Sequence, residues 1–414
     1  MHFDYLIIGA GVSGVACARL LQLSGVHRIG ILEAFDEPGG LCRTKRIGDH
    51  VLDIGGGHFL CTRYPEVYDF IFQHIPKSEF NYFERVSRIS IDGVEVDYPL
   101  ESNIWQLPRE QCAEYLISVV QNGEARKLPA PTDFEGWIRW KLGDLVATRY
   151  MLPYNRKIWG VEPSEMDIDW LHKIPRLDLR EIVMSCLNRQ SDRQKMPSHA
   201  GFFYPKAGGF QQVFDAILRP VANLVETRNP VSIIEKIPGG LLVNGKYKAK
   251  VVINTAPWKS ISNSPIFDNP ARQAIMALQH NGLVVSLHEQ DYSTDAHWAY
   301  IPSEKVTQHR NFFIHNFAPH SANSGVYRET NPKRWSGGSG EIFKHSNECA
   351  YPIPIRGWAT AIRAVLNHCE PLGLFGLGRW GQWQYFNSDV CIKEAMQLCQ
   401  RLGHSRCCVE CTKE

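Results

Sequence analysis

The 414-residue chain has no apolar run approaching the roughly twenty residues that cross a bilayer, so no membrane span is expected. Nor does it carry an excess of either charge: 45 Lys and Arg stand against 43 Asp and Glu, a formal net charge of +2. That balance excludes the basic field of a nucleic-acid-binding protein while leaving single arginines able to grip an anion. A signal-type apolar segment is missing before the first strand pattern, and the 12 cysteines are scattered through a long chain rather than spaced as a disulfide framework. The expectation is a reduced, cytoplasmic protein whose cysteines are mostly core. The tail gathers Cys399, His404, Cys407, Cys408 and Cys411, with C-x-x-C spacing in Cys408 to Cys411. It lacks a second pair of suitable spacing, so no metal is expected.

What the chain has is concentrated first at its start. Leu6-Ile7-Ile8 reads as a short buried strand, followed by Gly9, Gly11 and Gly14 at G-x-G-x-x-G spacing and an apolar periodic segment to Leu23. Gly9 suits a tight turn, Gly11 a close approach of backbone to a pyrophosphate, and Gly14 close packing of helix on strand. The helix start at Val12 and Ser13 then presents free N–H groups and the positive dipole end to phosphates. A second apolar run, Ile29 to Leu32, ends in Glu33 and Ala34 at the offset where an acid accepts a ribose hydroxyl. Such an acid repels a 2′-phosphate, so FAD or NAD is favoured over NADP. The glycine pair Gly39-Gly40, with Leu41 and Cys42, makes a second turn.

Further along, Val51-Leu52-Asp53 leads into Gly55-Gly56-Gly57-His58, flexible backbone beside a histidine that suits either a flat ligand or a plain turn. Helical periodicity is expected over 64–74 and 106–121, with a hairpin around Asp92-Gly93 between them. Pro129 to Pro131 marks a linker, and 133–160 is helical and aromatic-rich, ending in Tyr154-Asn155-Arg156-Lys157-Ile158-Trp159-Gly160. The polar stretch 188–199, with Arg189, Arg193 and Lys195, reads as a lid or a disordered insert. A helix is expected over 210–218, strands over 221–225, 231–234, 241–243 and 251–256, and a second sheet between about 260 and 345. Gly373 to Arg379 is a strand into a glycine turn, and 387–402 a helix that returns to the ligand fold.

Taken together, Gly9 to Gly14, Glu33, Gly39-Gly40 with Thr44, and Asp53-x-Gly55 resemble the FAD fingerprint of the amine-oxidase-like flavoproteins. Within that group the chain resembles the UDP-galactopyranose mutase family, in order along nearly its whole length. The segments are Gly56-Gly57-His58, Tyr98-Pro99-Leu100-x-x-Asn103, Tyr154-x-x-Lys157-x-Trp159-Gly160, Lys173-Ile174-Pro175-Arg176, Tyr204-Pro205-x-x-Gly208-Gly209-Phe210, Tyr351-Pro352-Ile353 and Gly378-Arg379 with Tyr385-Phe386-Asn387. The resemblance implies FAD, active when reduced and primed by NAD(P)H or another reductant. It also implies interconversion of pyranose and furanose forms of a nucleotide sugar through a flavin N5–sugar adduct, without net oxidation. Arg310 and Arg176 would clamp the diphosphate, with Arg180 competing for the second place; Tyr351 and Tyr385 would bind its oxygens; His58 would face the flavin. Tyr154, Trp159, Tyr204 and Asn316 would meet the substrate, while Gly378, Arg379, Tyr385, Asn387 and Ser388 would complete the cofactor site with Gly56 and Gly57.

The expected fold is α/β: a Rossmann-like FAD domain made of 1–63, 201–258 and 370–404, an inserted helical domain with a mobile substrate lid at 64–200, an antiparallel-sheet substrate domain at 259–369, and a tail at 405–414. No nucleic-acid partner is expected, and a homo-oligomer stays open. Two departures from the family bear on specificity. Phe386-Asn387 stands where the family has Tyr-Asp, and no uridine-stacking aromatic is evident in 177–187. The competing readings are an FAD-dependent amine oxidase or desaturase with net redox turnover, and a flavin-binding protein without catalysis.

Overall fold

The computed structural model describes residues 1–171, 178–190 and 200–404. The opening apolar run forms the strand His2–Ile8, which hydrogen-bonds in parallel to Ile29–Leu32 on one side and Tyr247–Asn254 on the other. Val225–Glu226 and Leu374–Gly376 extend this parallel sheet, and the hairpin Ile234–Ile237 with Gly240–Val243 joins its edge antiparallel. Ile29–Leu32 and the carboxyl ends of His2–Ile8 and Tyr247–Asn254 are buried on both sides, which is why they read as continuous Ile, Leu and Val runs. The helix Val12–Leu23 packs against the last helix, Ser388–Arg401, so the C-terminal segment returns to the first turn as expected.

The second sheet has seven strands in the order Glu341–Ile353, Gln279–His288, Val326–Thr330, Arg310–Phe312, Trp298–Tyr300, Ser87–Ile91 and Val94–Asp97. Its outer two strands are the hairpin expected around Asp92-Gly93, and Ser87–Ile91 of that hairpin pairs in parallel with Trp298–Tyr300, which places it in this sheet rather than in a helical unit. Phe80–Glu84 likewise pairs with Gly201–Pro205. The 64–200 segment is therefore not helical throughout, because Phe80 to Asp97 alternates apolar and polar residues at a strand period.

Two strand expectations need correcting. The run 221–225 forms a 3₁₀ turn, Arg219–Leu224, before a two-residue strand, since Pro220 has no N–H to donate and sits at the start of the turn. In 231–234 only Ile234 enters a strand. Among the described residues no helix is long and apolar enough to cross a membrane.

Candidate functional site

Three backbone turns meet at the carboxyl end of the parallel sheet. Gly9 has φ +97°, and a Cβ there would lie 2.6 Å from Thr255 Oγ1; a Cβ on Gly14 would lie 2.1 Å from the Gly9 carbonyl. At Gly11 a Cβ would meet no atom within 4 Å, so this glycine faces open space. Gly11 caps Val12–Leu23 without a side-chain bond, and the first turn holds no acidic residue. The second turn docks on the first through Gly39 N–H donated to Ala10 O at 2.9 Å. The third brings Gly378 so close that a Cβ would fall 2.0 Å from Ser13 Oγ. Glu33 is buried, with one carboxylate oxygen accepting from Ala10 N–H (2.7 Å) and the other from Phe35 N–H (3.0 Å). A carboxylate has about four acceptor positions, which leaves capacity for a ribose. This cradle fits a dinucleotide: an open glycine face, an uncapped helix start without acid, and a fixed carboxylate.

Leu41 lends its carbonyl to the packing against Gly55, where a Cβ would lie 1.9 Å from that oxygen. Cys42 is buried, and burial pushes its thiol up to about 12, so it packs rather than reacts. Ala34 is exposed beyond Glu33. Asp53 ties the surrounding loops together: its carboxylate accepts from Thr44 Oγ1 (2.6 Å), Tyr204 OH (2.9 Å) and Phe210 N–H (3.1 Å). Burial raises Asp53 to about 6 despite those bonds.

The glycines after Asp53 join this half to the second sheet. A Cβ on Gly57 would lie 2.0 Å from the Phe312 ring, and one on Gly56 would lie 3.0 Å from Glu329 Oε1. Glu329 is fully buried; it accepts from Gly57 N–H (2.7 Å) and from Arg310 Nε (2.7 Å) and Nη2, with His309 Nε2 at 3.5 Å. Burial alone would raise its carboxyl, but the Arg310 charge, His309 and the Gly57 N–H outweigh it and hold it well below the usual range. His58 Nδ1–H donates to Gly56 O at 2.7 Å, the carbonyl fixing the tautomer, and the ring stacks on Phe210. Burial lowers its pKa to about 4, so the imidazole is neutral and Nε2 is an acceptor.

Beside this junction stand Trp159, Tyr351 and Tyr385, mutually edge-to-face with centroids 5.3 to 6.0 Å apart. Trp159 is held by Nε1–H donated to Asn155 Oδ1 (3.0 Å), and Tyr154 meets Tyr300 edge-on. Arg379 donates from Nε and Nη2 to Phe386 O and from Nη1 to Ala350 O, fixing the segments that carry both tyrosines. Asn387 is the N-cap of the last helix, Ser388 its first residue, and Asp389 in that turn is buried.

The structure thus brings together His58, Arg310, Tyr154, Trp159, Tyr351, Tyr385 and Arg379. It does not bring in Tyr204 or Asn316. Tyr204 is fully buried with its hydroxyl on Asp53, and Asn316 Nδ2 holds the carbonyls of Thr294 and Ala296, so both expectations of substrate contact are corrected to supporting roles. Arg176 lies outside the described residues, as do Arg193, Lys195, Cys407, Cys408 and Cys411; Arg180 is exposed on the helix Leu179–Asn188. Sequence reasoning missed Glu329, although alternation along Val326–Thr330 puts it on the same face as Tyr327. It also missed Arg85, whose guanidinium lies over Tyr98 and Trp298 and donates to Tyr300 OH at 2.9 Å. Among the described residues no group of His, Cys, Asp or Glu forms a metal cluster.

Residues 7–73 match the NAD(P)-binding Rossmann-like domain. The chain is similar to dTDP-fucopyranose mutase of Escherichia coli, 26% identical over 183 residues, 41% of this chain and 45% of that protein. It is similarly 26% identical over 177 residues to a probable UDP-galactopyranose mutase of Klebsiella pneumoniae, covering 42% and 45%. The matched stretch therefore spans under half the length of these curated relatives. The crystal structure of reduced UDP-galactopyranose mutase superposes with a TM-score of 0.84 at 20% identity, covering 97% of this chain and 94% of that one. The fold of this chain is the fold of that mutase: α/β, with a Rossmann-like dinucleotide domain and a second, largely antiparallel sheet.

Proposed function

We propose that the protein is an FAD-dependent mutase that interconverts pyranose and furanose forms of a nucleotide sugar. The observation that carries this reading is the convergence of neutral His58, the Arg310–Glu329 pair and the Trp159–Tyr351–Tyr385 triad on one junction beside the dinucleotide cradle. When bound and reduced, FAD would supply the nucleophile toward the anomeric carbon. Gly9, Gly11, Val12, Ser13 and Gly14 would hold its pyrophosphate and Glu33 its ribose.

The chain's own residues then have defined work. Glu329 fixes one edge of the Arg310 guanidinium, so the other edge is oriented without reorganisation toward a departing diphosphate. Burial raises the pKa of Tyr351 and of Tyr385, so both hydroxyls stay protonated and donate to phosphate oxygens. Trp159 walls the sugar and excludes water, and His58 offers an acceptor at Nε2. Every one of these groups positions or stabilises charge, and none needs to gain or lose electrons. NAD(P)H or another reductant would be needed only for priming.

An anaerobic spectral titration tests the reading. Dithionite-reduced protein should show flavin absorbance changes that saturate with UDP-galactose or a dTDP-sugar and not with amines. Bleaching of the oxidised flavin by an amine, with no response to any nucleotide sugar, would replace the mutase by a net oxidoreductase.

A further inference from the structure

The helix Leu152–Trp159 supports two walls of the site, and one of them through a residue that touches neither. Lys157 has no exposed surface, and its ammonium donates to the carbonyls of Ile301 (2.9 Å) and Ser303 (2.8 Å). Ile301 in turn donates its N–H to His309 O at 2.9 Å, and His309 N–H is donated to Glu329 O at 2.9 Å. Arg310 is the next residue. On the same helix the Ile158 carbonyl accepts from Asn281 Nδ2 and, at 2.9 Å, from Asn331 Nδ2, which anchors Trp159 to the second sheet. Among the described residues Lys157 makes no ion pair; Glu304 acts on it at longer range and is itself bridged to Arg156 (3.3 Å) and Arg334 (3.8 Å).

We infer that Lys157 is a positioning residue for Arg310: its charged ammonium holds the Ile301–Ser303 segment at the register that keeps Arg310 on Glu329. The inference rests on the reading of Arg310 as the group that grips the diphosphate. Two carbonyls are adequate acceptors for an ammonium, but no carboxylate neutralises it. Burial, aided by the Arg334 charge, lowers its pKa to about 7, with Glu304 opposing. The titratable and charged groups that face it are Glu304 from the segment before Arg310, Arg334 from the turn after Val326–Thr330, and His309, whose pKa burial lowers against the pull of Glu329. On its own helix Arg156 is turned outward to Glu162 and Glu304. A protonated amine makes the stronger bonds, so the hold on the segment weakens as pH rises through that value.

The test uses holoprotein with oxidised flavin, UDP-galactose as the probe, and flavin absorbance as the readout between pH 6 and 9. Affinity should weaken roughly tenfold as pH rises across this window, the loss of about one charge-assisted hydrogen bond. Glu304→Gln removes a charge that favours the ammonium and should move the midpoint down; Arg334→Gln should move it up. Both residues are partly exposed and outside the site, so both variants should fold, and a merely structural lysine would not produce opposite shifts. Lys157→Met should bind weakly at every pH while retaining its flavin. The unliganded flavin spectrum should report the same midpoint and the same two shifts. If neither UDP-galactose nor any other nucleotide sugar binds but that spectral midpoint moves in opposite directions, the mutase reading fails and the positioning role stands. A flat pH dependence in both readouts, or a midpoint indifferent to the two variants, overturns the positioning role.

Discussion

Glu329 holds the two halves of the protein together at a single carboxylate, between the Gly57 amide and the Arg310 guanidinium. Its folded pKa is depressed, so it contributes stability that is present above the ordinary carboxylate range and lost as pH falls through the folded value. Glu329→Gln strands the Arg310 charge and should lower unfolding free energy by about 3 kcal/mol in urea titrations at pH 7. Asp53 is the reverse case. Its pKa is raised from 3.8 to about 6, so between these values the folded state holds the extra proton and stability falls as pH rises, by about 3 kcal/mol in all. Asp53→Asn keeps an acceptor for Thr44 and Phe210, and the Tyr204 hydroxyl can turn to accept. It should flatten that fall, so that the variant matches or exceeds wild type at pH 7 in the same titration. His58 and Arg310 were legible in the sequence because a glycine run and an ordered family resemblance marked them. Glu329 was not, because its importance depends on a partner 19 residues away on a neighbouring strand.

At the scale of elements, the glycines separate into those that make room for protein and those that make room for ligand. Gly57→Ala would drive a methyl into the buried Phe312 ring and should destabilise the protein by about 3 kcal/mol, read as a lowered thermal midpoint. Gly11→Ala meets no protein atom. It should fold with an unchanged apoprotein midpoint yet purify without bound flavin, a contrast that absorbance at the flavin band and a thermal melt resolve together. The first strand, the glycine turn and the two helices that flank it were readable because local pattern and function coincide there. The run 221–225 misled because its valines and leucine carry a strand propensity that Pro220 overrides. The substrate contacts expected of Tyr204 and Asn316 misled for another reason: position in a motif does not state which way a side chain turns.

At the scale of the whole molecule, the arrangement is a dinucleotide-binding sheet set against a second sheet, with the candidate site on the seam. The existence of both sheets was legible, since one is built from apolar runs and the other from alternating strands. Their composition was not, because the pairing of Ser87–Ile91 with Trp298–Tyr300 crosses some two hundred residues and leaves no local trace. The seam also explains why the groups that carry the proposed chemistry come from six separated segments and why none of them alone identifies it. On this account the seam holds a sugar and its diphosphate, and the flavin leaves each turnover as it entered. The most direct measurement is product analysis by chromatography of anaerobic, dithionite-reduced protein incubated with UDP-galactopyranose and related nucleotide sugars. The account predicts a furanose product from at least one of them, formed over many turnovers without further reductant and abolished by Arg310→Ala. No furanose from any nucleotide sugar, or product formation that stops after one equivalent of reduced flavin, would contradict it.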